Sequence, residues 1–424
     1  MCYNEKLSKP KKLKLSYQYE NYFQDYLENE KRKLKIEDKH LEAVDACKTC
    51  GTESLGICKF ECHGCGKESI IYRSCKHRFC SSCGASKTYS WAESTLMRLL
   101  DMCHHHIVFT LPKSYRKLSK MNDVKLYDEL FRMSAKVVQD WFAETHNLRV
   151  GIVNVLHTAG SDLKYHPHVH MLVSRGGQDL SSGSYRKLAG KYLVKQEELG
   201  RRFKKAYENA LLKLYEKGEL KIYSKLECRS DFKSWMVGQK SKHWIVSIQE
   251  PLEKLEDIVG YVGRYTKRAC ISEYKLLELG EWVRFRYKDY KNSKRGEKPI
   301  ESEIKLDYVE FFDRLLQHVP KKRYRMVRYY GLYNSYYFNK IPKECKRELK
   351  KEEEIDWGQA EDYDWGAYED LRKAYIRSGR EDPLYCKSCG LDLVLTEIRY
   401  KNKLIRIDWV DGQEVRTEYK YDSS

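Results

Sequence analysis

The histidine-rich segment at residues 165–173 constrains the fold more than any other stretch of this chain. The segment is apolar and β-prone, which predicts a strand, and side chains along a strand alternate between its two faces. His168 and His170 therefore point to one face, and Val169 points to the other. Two adjacent imidazoles on a rigid strand supply two ligands of a divalent metal site, and a third ligand still leaves positions open for a substrate. The alternative is an exposed strand with a polar face.

A third metal ligand is predicted on the preceding strand. Residues 151–157 form an apolar run that ends in His157, and the turn at residues 158–162 predicts an antiparallel hairpin with the histidine-rich strand. This hairpin places His157 beside the histidine pair, so His157 is the predicted third ligand of a Mg²⁺ or Mn²⁺ ion. His166 alternates onto the same face and remains the rival. The triplet at residues 104–106 is not expected to bind one ion, because three consecutive side chains cannot all face it.

Two tyrosines on a predicted helix supply candidate nucleophiles. Residues 252–269 have helical apolar periodicity, and Tyr261 and Tyr265 are four residues apart, which places both phenols on one face. A tyrosine phenolate is able to attack a metal-polarised phosphate and displace a 3′ hydroxyl. Packing is the alternative, because the chain has 34 tyrosines. Three basic neighbours suit a phosphate backbone better than a core and are candidate DNA contacts: Arg264, Lys267 and Arg268.

Eight cysteines lie within residues 46–90. Two Cys-x-x-Cys pairs, Cys62/Cys65 and Cys80/Cys83, have the spacing of a zinc ribbon, in which two turns supply four thiolates. Zinc would then supply folding energy to a module with little core. The remaining candidates for a second zinc site, or for buried thiols, are Cys47, Cys50, Cys58 and Cys75, with His63 and His77 near them.

A further Cys-x-x-Cys pair lies close to the carboxyl terminus. Residues 341–380 before it are rich in acidic side chains, which is typical of a linker or a flexible tail. Cys386 and Cys389 are half of a zinc ribbon, and no second pair follows them. Either these thiols are reduced and metal-free, or they share a metal with residues elsewhere, such as Cys345.

The charge balance favours a polyanionic partner. The net charge is +18 and aromatic residues make up 13% of the chain, so basic side chains and rings are both available to a single-stranded nucleic acid. Basic and aromatic residues alternate at 282–288 and 321–330, which indicates a groove that binds phosphates and stacks bases. A solvated sheet edge is the alternative. The candidate DNA contacts in these two segments are Arg284, Arg286, Lys288, Arg325 and Arg328.

The sequence favours neither a membrane protein nor a secreted one. No window has the roughly 18 consecutive apolar residues of a membrane span, and the first residues lack a secretory pattern, so we expect a cytoplasmic protein. In a reducing compartment, 15 cysteines indicate metal binding and not disulfides. The chain has no Gly-x-x-x-x-Gly-Lys-Ser/Thr phosphate loop, so strand unwinding is expected from another protein.

These motifs follow one order along nearly the whole chain and together resemble HUH endonucleases of the two-tyrosine class. In particular, they are similar to the rolling-circle transposases of insertion sequence family 91. One position departs from that family's pattern, because Phe79 stands where a histidine is expected. The matching segments are residues 62–83 for the zinc domain, 106–112 for the first catalytic strand, 155–170 for the metal motif, 261–272 for the tyrosine helix, and 284–289 and 328–331 for later segments.

The resemblance implies an α+β fold with an HUH endonuclease-like, antiparallel-centred sheet and packed helices, plus a small cysteine-rich zinc domain. It implies a transposase that nicks and rejoins single-stranded DNA through a 5′-phosphotyrosine, with structural Zn²⁺ and catalytic Mg²⁺ or Mn²⁺. Its partners would be single-stranded DNA at transposon ends and target, and the host replication machinery. The alternatives are a plasmid or phage replication initiator or relaxase with the same chemistry, and a non-catalytic zinc protein that binds nucleic acid.

With 424 residues the chain has room for two or three domains. The expected order begins with an N-terminal helical arm and ends with an acidic linker and the C-terminal Cys-x-x-Cys region. The boundaries are 1–45 for the arm, 46–90 for the zinc-binding domain, 91–340 for the HUH catalytic domain with a helical insertion at about 181–240, and 341–424 for the last region.

Overall fold

A computed structural model describes a mixed α+β protein whose strands pair antiparallel, which confirms the expected α+β class with antiparallel sheets. No helix in the described part of the chain is long and apolar enough to cross a membrane. The described residues are 13–82, 95, 98–190, 194–223, 226–238, 244–249, 251–252, 269–290, 292–293, 299–346, 382–400, 403–410 and 413–420.

The described residues fall into two compact units. We call the first the cysteine unit; it contains the described residues within 1–90, 267–320 and 355–424. The second, the histidine unit, contains those within 91–266 and 321–354. The helices are α1 (Leu15–Glu28), α2 (Asp38–Thr49), α3 (Lys113–Met121), α4 (Asp123–His146), α5 (Gln196–Glu216), α6 (Arg229–Gly238), α7 (Tyr308–Leu316) and α8 (Ser335–Phe338).

The strands build four antiparallel sheets within the described residues. They are β1 (Ile57–Glu61), β2 (Glu68–Tyr72), β3 (His104–Thr110), β4 (Leu148–Ala159), β5 (Tyr165–Asp179), β6 (Tyr185–Lys187), β7 (Val246–Ile248), β8 (Leu276–Glu278), β9 (Trp282–Asp289), β10 (Ile300–Asp307), β11 (Val327–Gly331), β12 (Tyr385–Cys386), β13 (Leu391–Asp392), β14 (Val394–Tyr400), β15 (Lys403–Val410) and β16 (Gln413–Lys420).

The histidine unit is built on the long hairpin of β4 and β5. Its sheet has the strand order β11-β4-β5-β3-β7, with β6 added alongside β5. In the hairpin His157 lies opposite His168, so the predicted antiparallel pairing is confirmed. The register shifts beside this pair, between His157 and Ala159, opposite a segment that contains Pro167. Proline cannot donate a ladder hydrogen bond and is tolerated in sheets at such bulges.

Helix α4 packs on β4 and β5 and closes the main core of the histidine unit. Its apolar face buries Phe131 and Phe142 against Ile152 and other strand residues. The helix ends at Asn147, whose left-handed backbone (φ 54°) is typical of a residue that follows a helix. Helices α5 and α6, which lie in the predicted helical insertion, pack further aromatic side chains into the same core.

Two glycines allow the edge strand β11 to lie against β4. Gly151 and Gly331 are direct partners in the ladder. The ring of Tyr333 covers Gly151 so closely that a Cβ there would come within 2.4 Å of the ring. The Tyr333 hydroxyl lies 2.6 Å from Nε2 of His104 and accepts a hydrogen bond from the backbone N–H of Leu100 at 3.1 Å. This packing joins β11, β4 and β3, which are three of the strands around the histidine pair.

The cysteine unit joins segments that are far apart in sequence. One sheet has the order β16-β15-β14-β1-β2, so the carboxyl-terminal strands pair with the early hairpin through β14 and β1. A second sheet contains β8, β9 and β10. Helix α1 packs on α7, where the ring centroids of Tyr26 and Phe312 are 5.1 Å apart and the Tyr26 hydroxyl donates to Asp313 at 2.9 Å. The helical arm is therefore part of a folded core.

This arrangement differs from the domain order expected from the sequence in two places. Residues 269–320 were grouped with the histidine strands, but the apolar face of α7 packs on α1 and places them in the cysteine unit. The region 341–424 was expected to be separate, but strand pairing attaches residues 394–420 to β1. Neither pairing leaves a local sequence signal, because the partners are hundreds of residues apart.

Gly151→Ala is expected to destabilise the histidine unit by about 1–3 kcal/mol, because the new methyl group overlaps the Tyr333 ring in a packed interior. Chemical denaturation of the full chain measures this change. Gly238→Ala is the matched control, since a Cβ at that helical position meets no atom within 4 Å. Equal unfolding midpoints for the two variants would contradict the packing of Tyr333 on Gly151.

Candidate metal centres and nucleic-acid interface

Three histidines converge on the β4–β5 hairpin. The ligand-capable nitrogens of His157, His168 and His170 all lie within 4.8 Å of one another. His157 faces His168 across the ladder, and the ring centroids of His157 and His170 are 4.6 Å apart. The structure thus brings together the three residues that the sequence predicted as ligands of the catalytic ion. Three nitrogens on one face of a sheet leave the remaining coordination positions to water or a substrate.

Hydrogen bonds orient two of these rings for metal binding. Nδ1 of His168 donates to the carbonyl oxygen of His166 at 2.6 Å, which leaves a lone pair on Nε2. Nδ1 of His170 lies 3.0 Å from Nε2 of His106, a buried residue on β3. When Nδ1 of His170 donates in this pair, its Nε2 also keeps a lone pair. In metal-binding histidines, the ring nitrogen that does not bind the metal usually donates a hydrogen bond to a carbonyl oxygen or another acceptor.

His106 is a functional candidate that sequence reasoning missed. Consecutive side chains cannot share one ion, which argued against the triplet that contains it. However, alternate residues of a strand share a face, and β3 pairs with β5 so that Val108 lies opposite His170. His106 lies two residues before Val108, on the same face of β3, and it therefore contacts His170 diagonally across the ladder. Only the pairing of β3 with β5 reveals this contact, and the sequence does not specify which strands pair.

The buried environment favours the neutral form of three imidazoles at this site, those of His106, His168 and His170. Burial lowers the pKa of His168 to about 4, although its hydrogen bond to His166 opposes that shift. Burial, together with the neighbouring His157 and His168, lowers the pKa of His170 well below its usual value. Burial also lowers the pKa of His106 to about 4. Neutral imidazole is the form that binds a metal ion, so the donor set is ready for one at neutral pH.

His166, the rival third ligand, has a different partner. Its Nδ1 lies 3.1 Å from a guanidinium nitrogen of Arg116, which donates to it. Burial, followed by the charges of His168 and Arg116, lowers the pKa of His166 to about 3. The three clustered nitrogens do not include one from His166. The geometry therefore favours His157 over His166 as the third ligand.

The first cysteine cluster combines the early knuckle with the carboxyl-terminal one. The sulfurs of Cys62, Cys65, Cys386 and Cys389 lie within 4.8 Å of one another. The Sγ atoms of Cys65 and Cys386 are 3.7 Å apart. The partner of the carboxyl-terminal pair is thus the Cys62/Cys65 knuckle and not Cys345, which the sequence had suggested.

The second cluster contains Cys50, Cys75 and Cys80, again with sulfurs within 4.8 Å of one another. The backbone N–H of Cys75 donates to Sγ of Cys50 at 3.4 Å. Cys83, the expected partner of Cys80, lies outside the described residues. Cys47 is buried on α2, and Cys58 is buried in the core between β1 and β14.

The predicted single ribbon of Cys62/Cys65 with Cys80/Cys83 needs correction. Cys62 and Cys65 lie in the connection between β1 and β2, at one end of the hairpin. Cys75 and Cys80 follow β2, and β2 ends at the opposite end of the hairpin, where Ile57 pairs with Tyr72. The described sulfurs form two separate clusters, because Cys80 groups with Cys50 and Cys75 while Cys62 and Cys65 group with the carboxyl-terminal pair. Spacing alone cannot reveal this, because both pairs have the same local pattern.

The predicted DNA contacts divide into three groups. Arg284 and Arg286 on β9 both approach Glu303 on β10, at 2.9 Å and 3.9 Å, and Lys288 lies opposite Glu301. These acidic partners favour the alternative of a solvated sheet edge. Another group of predicted DNA contacts lies outside the described residues: Arg264, Lys267 and Arg268. The two candidate nucleophiles, Tyr261 and Tyr265, also lie outside them.

The remaining group has two members: Arg325 lies just before β11, and Arg328 lies within it. Arg328 pairs with Asp128, and its guanidinium carbon lies 4.5 Å from the ring centroid of Phe131. Arg328 therefore joins β11 to α4. Arg325 is exposed and remains a predicted DNA contact.

Comparisons with known proteins agree with the combination of a histidine sheet and cysteine clusters. A family model described as "Transposase zinc-binding domain" matches residues 19–111, and one described as "Putative transposase" matches residues 151–340. The chain is 30% identical to "Transposase for insertion sequence element IS801" of Pseudomonas savastanoi pv. phaseolicola over 368 residues, which cover 85% of this chain and 84% of that protein.

A second relative is "Putative transposase y4qJ" of Sinorhizobium fredii (strain NBRC 101917 / NGR234). It is 30% identical over 309 residues, which cover 72% of this chain and 76% of that protein. No solved structure matches the chain significantly. The chain belongs to the two-tyrosine transposases of insertion sequence family 91 that carry an amino-terminal zinc-binding domain.

Replacing any one of the three clustered histidines with alanine is expected to weaken Mn²⁺ binding by more than about 100-fold. Loss of a ligand costs more than the 10–100-fold typical of residues that only orient one. Isothermal titration of the full chain measures the affinity. His166→Ala is the matched control on the same strand, and it should leave the affinity unchanged. If His157→Ala binds Mn²⁺ as well as His166→Ala does, His157 is not a ligand.

Proposed function

We propose that this transposase nicks and rejoins single-stranded DNA through a 5′-phosphotyrosine, and that the histidine unit has an HUH endonuclease fold. The observation that supports this best is the cluster of three imidazoles on adjacent antiparallel strands. Family membership supports the same proposal, because these transposases are named for two tyrosines and this chain has Tyr261 and Tyr265 at helical spacing.

The histidine cluster would position the scissile phosphate. When bound there, a divalent ion such as Mn²⁺ or Mg²⁺ polarises a phosphate oxygen and makes phosphorus more electrophilic. The contacts from the His166 carbonyl and from His106 hold the rings of His168 and His170 at fixed angles. Because these contacts are made inside a packed sheet, the site needs little rearrangement when DNA arrives.

A tyrosine would carry out the cleavage. The phenol of Tyr261 or Tyr265 releases its proton, and its oxygen attacks phosphorus. The bond from phosphorus to the 3′ oxygen breaks, the 3′ oxygen takes up a proton, and the 5′ phosphate stays joined to the tyrosine. A 3′ hydroxyl that attacks this phosphotyrosine rejoins a strand and restores the phenol. One phosphodiester is exchanged for another, so the cycle needs no ATP.

Two tyrosines suit a reaction with two cleavages. The first tyrosine remains joined to one strand end while the second cleaves another, and the released 3′ hydroxyl primes synthesis by host replication proteins. Phosphate contacts would come from exposed basic residues such as Arg325, in a chain with net charge +18. The DNA partner would be single-stranded DNA at the transposon ends and at the target.

A replication initiator or relaxase would share this chemistry but serve another purpose. The two purposes differ in outcome, because a transposase moves a marked element to a new DNA molecule, whereas an initiator copies a plasmid from its origin. A donor-to-target transposition assay in cells distinguishes them. The family assignment favours the transposase.

The tyrosine step is tested by replacing Tyr261 and Tyr265 with phenylalanine, singly and together, and incubating each protein with labelled single-stranded DNA and Mn²⁺. Each single variant should still form a covalent adduct, because the remaining phenol reaches the same phosphate. The double variant should form none. Tyr274→Phe is the control, since Tyr274 is an exposed tyrosine, with 71% of its surface accessible.

Denaturing gels detect the adduct, and peptide mapping locates it. An adduct formed by the double variant would refute the assignment of the nucleophiles. Transposition needs both cleavages, so each single variant should fail to transpose. A single variant that transposes normally would show that one tyrosine acts twice and the other only packs.

A further inference from the structure

We propose that one structural zinc ion is shared between the two ends of the chain, with Cys62 and Cys65 on one side and Cys386 and Cys389 on the other. The four sulfurs lie within 4.8 Å of one another, as four ligands of one ion must. The family models match residues 19–111 and 151–340, so neither includes the carboxyl-terminal pair. Residues 382–420 thus become a required part of the zinc-binding module.

The two knuckles have the same local backbone geometry. In each, the N–H of the glycine after the second cysteine donates to the carbonyl oxygen of the first cysteine at 2.8 Å, from Gly66 to Cys62 and from Gly390 to Cys386. Both glycines are left-handed, with φ values of +68° and +69°. Tetrahedral zinc sites are commonly built from two such turns that face each other. A matching pair of turns is therefore evidence for a metal site beyond the proximity of four thiols.

The surrounding structure brings the knuckles together. The β12–β13 hairpin carries Cys386, and β14 leads from it into the ladder with β1. A small core of Cys58, Phe60 and three leucines (Leu384, Leu393 and Leu395) packs beneath the sulfurs. Gly64 permits the close approach, because a Cβ there would lie 3.2 Å from Sγ of Cys389. These contacts hold the Cys386/Cys389 knuckle close to the Cys62/Cys65 knuckle.

The chain topology gives this zinc site a distinct role. Cys65 and Cys386 are 321 residues apart in sequence. Closing a loop costs entropy, although this cost rises only slowly with loop length, so an interaction that fixes the two distant segments stabilises their contact. The described apolar core at this contact is small. Zinc bound by four thiolates would supply the missing stabilisation and hold β14 on β1.

The proposal predicts two separable zinc sites. Cys386→Ser with Cys389→Ser should remove one zinc ion per chain and leave the site of Cys50, Cys75 and Cys80 loaded. Elemental analysis of the full-length protein measures the change. Cys228→Ser is the control, because Cys228 is an exposed thiol in the histidine unit and should not affect zinc content. An unchanged zinc content in the double variant would overturn the proposal.

A second measurement on the unmodified protein covers the case in which the variant fails to fold. Mass spectrometry follows alkylation of each thiol before and after zinc is removed with a chelator. Cys62, Cys65, Cys386 and Cys389 should all be protected and should become reactive together. Cys228 should react throughout. Alkylation of Cys386 and Cys389 at the Cys228 rate while Cys62 and Cys65 stay protected would overturn the proposal. Neither measurement depends on DNA cleavage, so both test this site independently of the proposed function.

Discussion

The pairing of β4 with β5 is the constraint on which the candidate catalytic site depends. The register that sets His157 opposite His168 brings the imidazole of His157 to the histidine pair. A slip of one residue would turn every β5 side chain to the other face of the sheet. The register shifts beside this pair, opposite the segment with Pro167, and the carbonyl of His166 accepts from Nδ1 of His168. The hairpin therefore sets the position of the three rings, while the orientation of His170 depends on His106 of β3.

Features encoded by local sequence were predictable. The alternation of side chains in residues 165–173 and the turn before it predicted the hairpin and selected His157, and the structure groups His157 with His168 and His170. An N-terminal helical arm was expected, and the structure has helix α1 there, with Tyr19, Phe23 and Tyr26 at helical spacing in a core with α7. In each case the periodicity of apolar or functional side chains along one element was sufficient evidence.

Features that depend on which distant segments pair were not predictable. The role of His106 follows from the β3–β5 ladder, and the partner of Cys386 and Cys389 follows from the β1–β14 ladder. The alternation of basic and aromatic residues at 282–288 predicted a DNA groove, but β10 places acidic side chains opposite that strand. A single strand carries no information about the charge of its partner, so these ion pairs could not be predicted from residues 282–288.

The central claim is that His157, His168 and His170 hold one divalent ion for phosphate chemistry. The most direct measurement is anomalous diffraction at the manganese edge from crystals of the protein grown with Mn²⁺. We expect a single strong peak at bonding distance from one nitrogen of each of these histidines, with His106 in contact with His170 but not with the ion. A peak beside His166 and Arg116, or none at the β4–β5 hairpin, would contradict it.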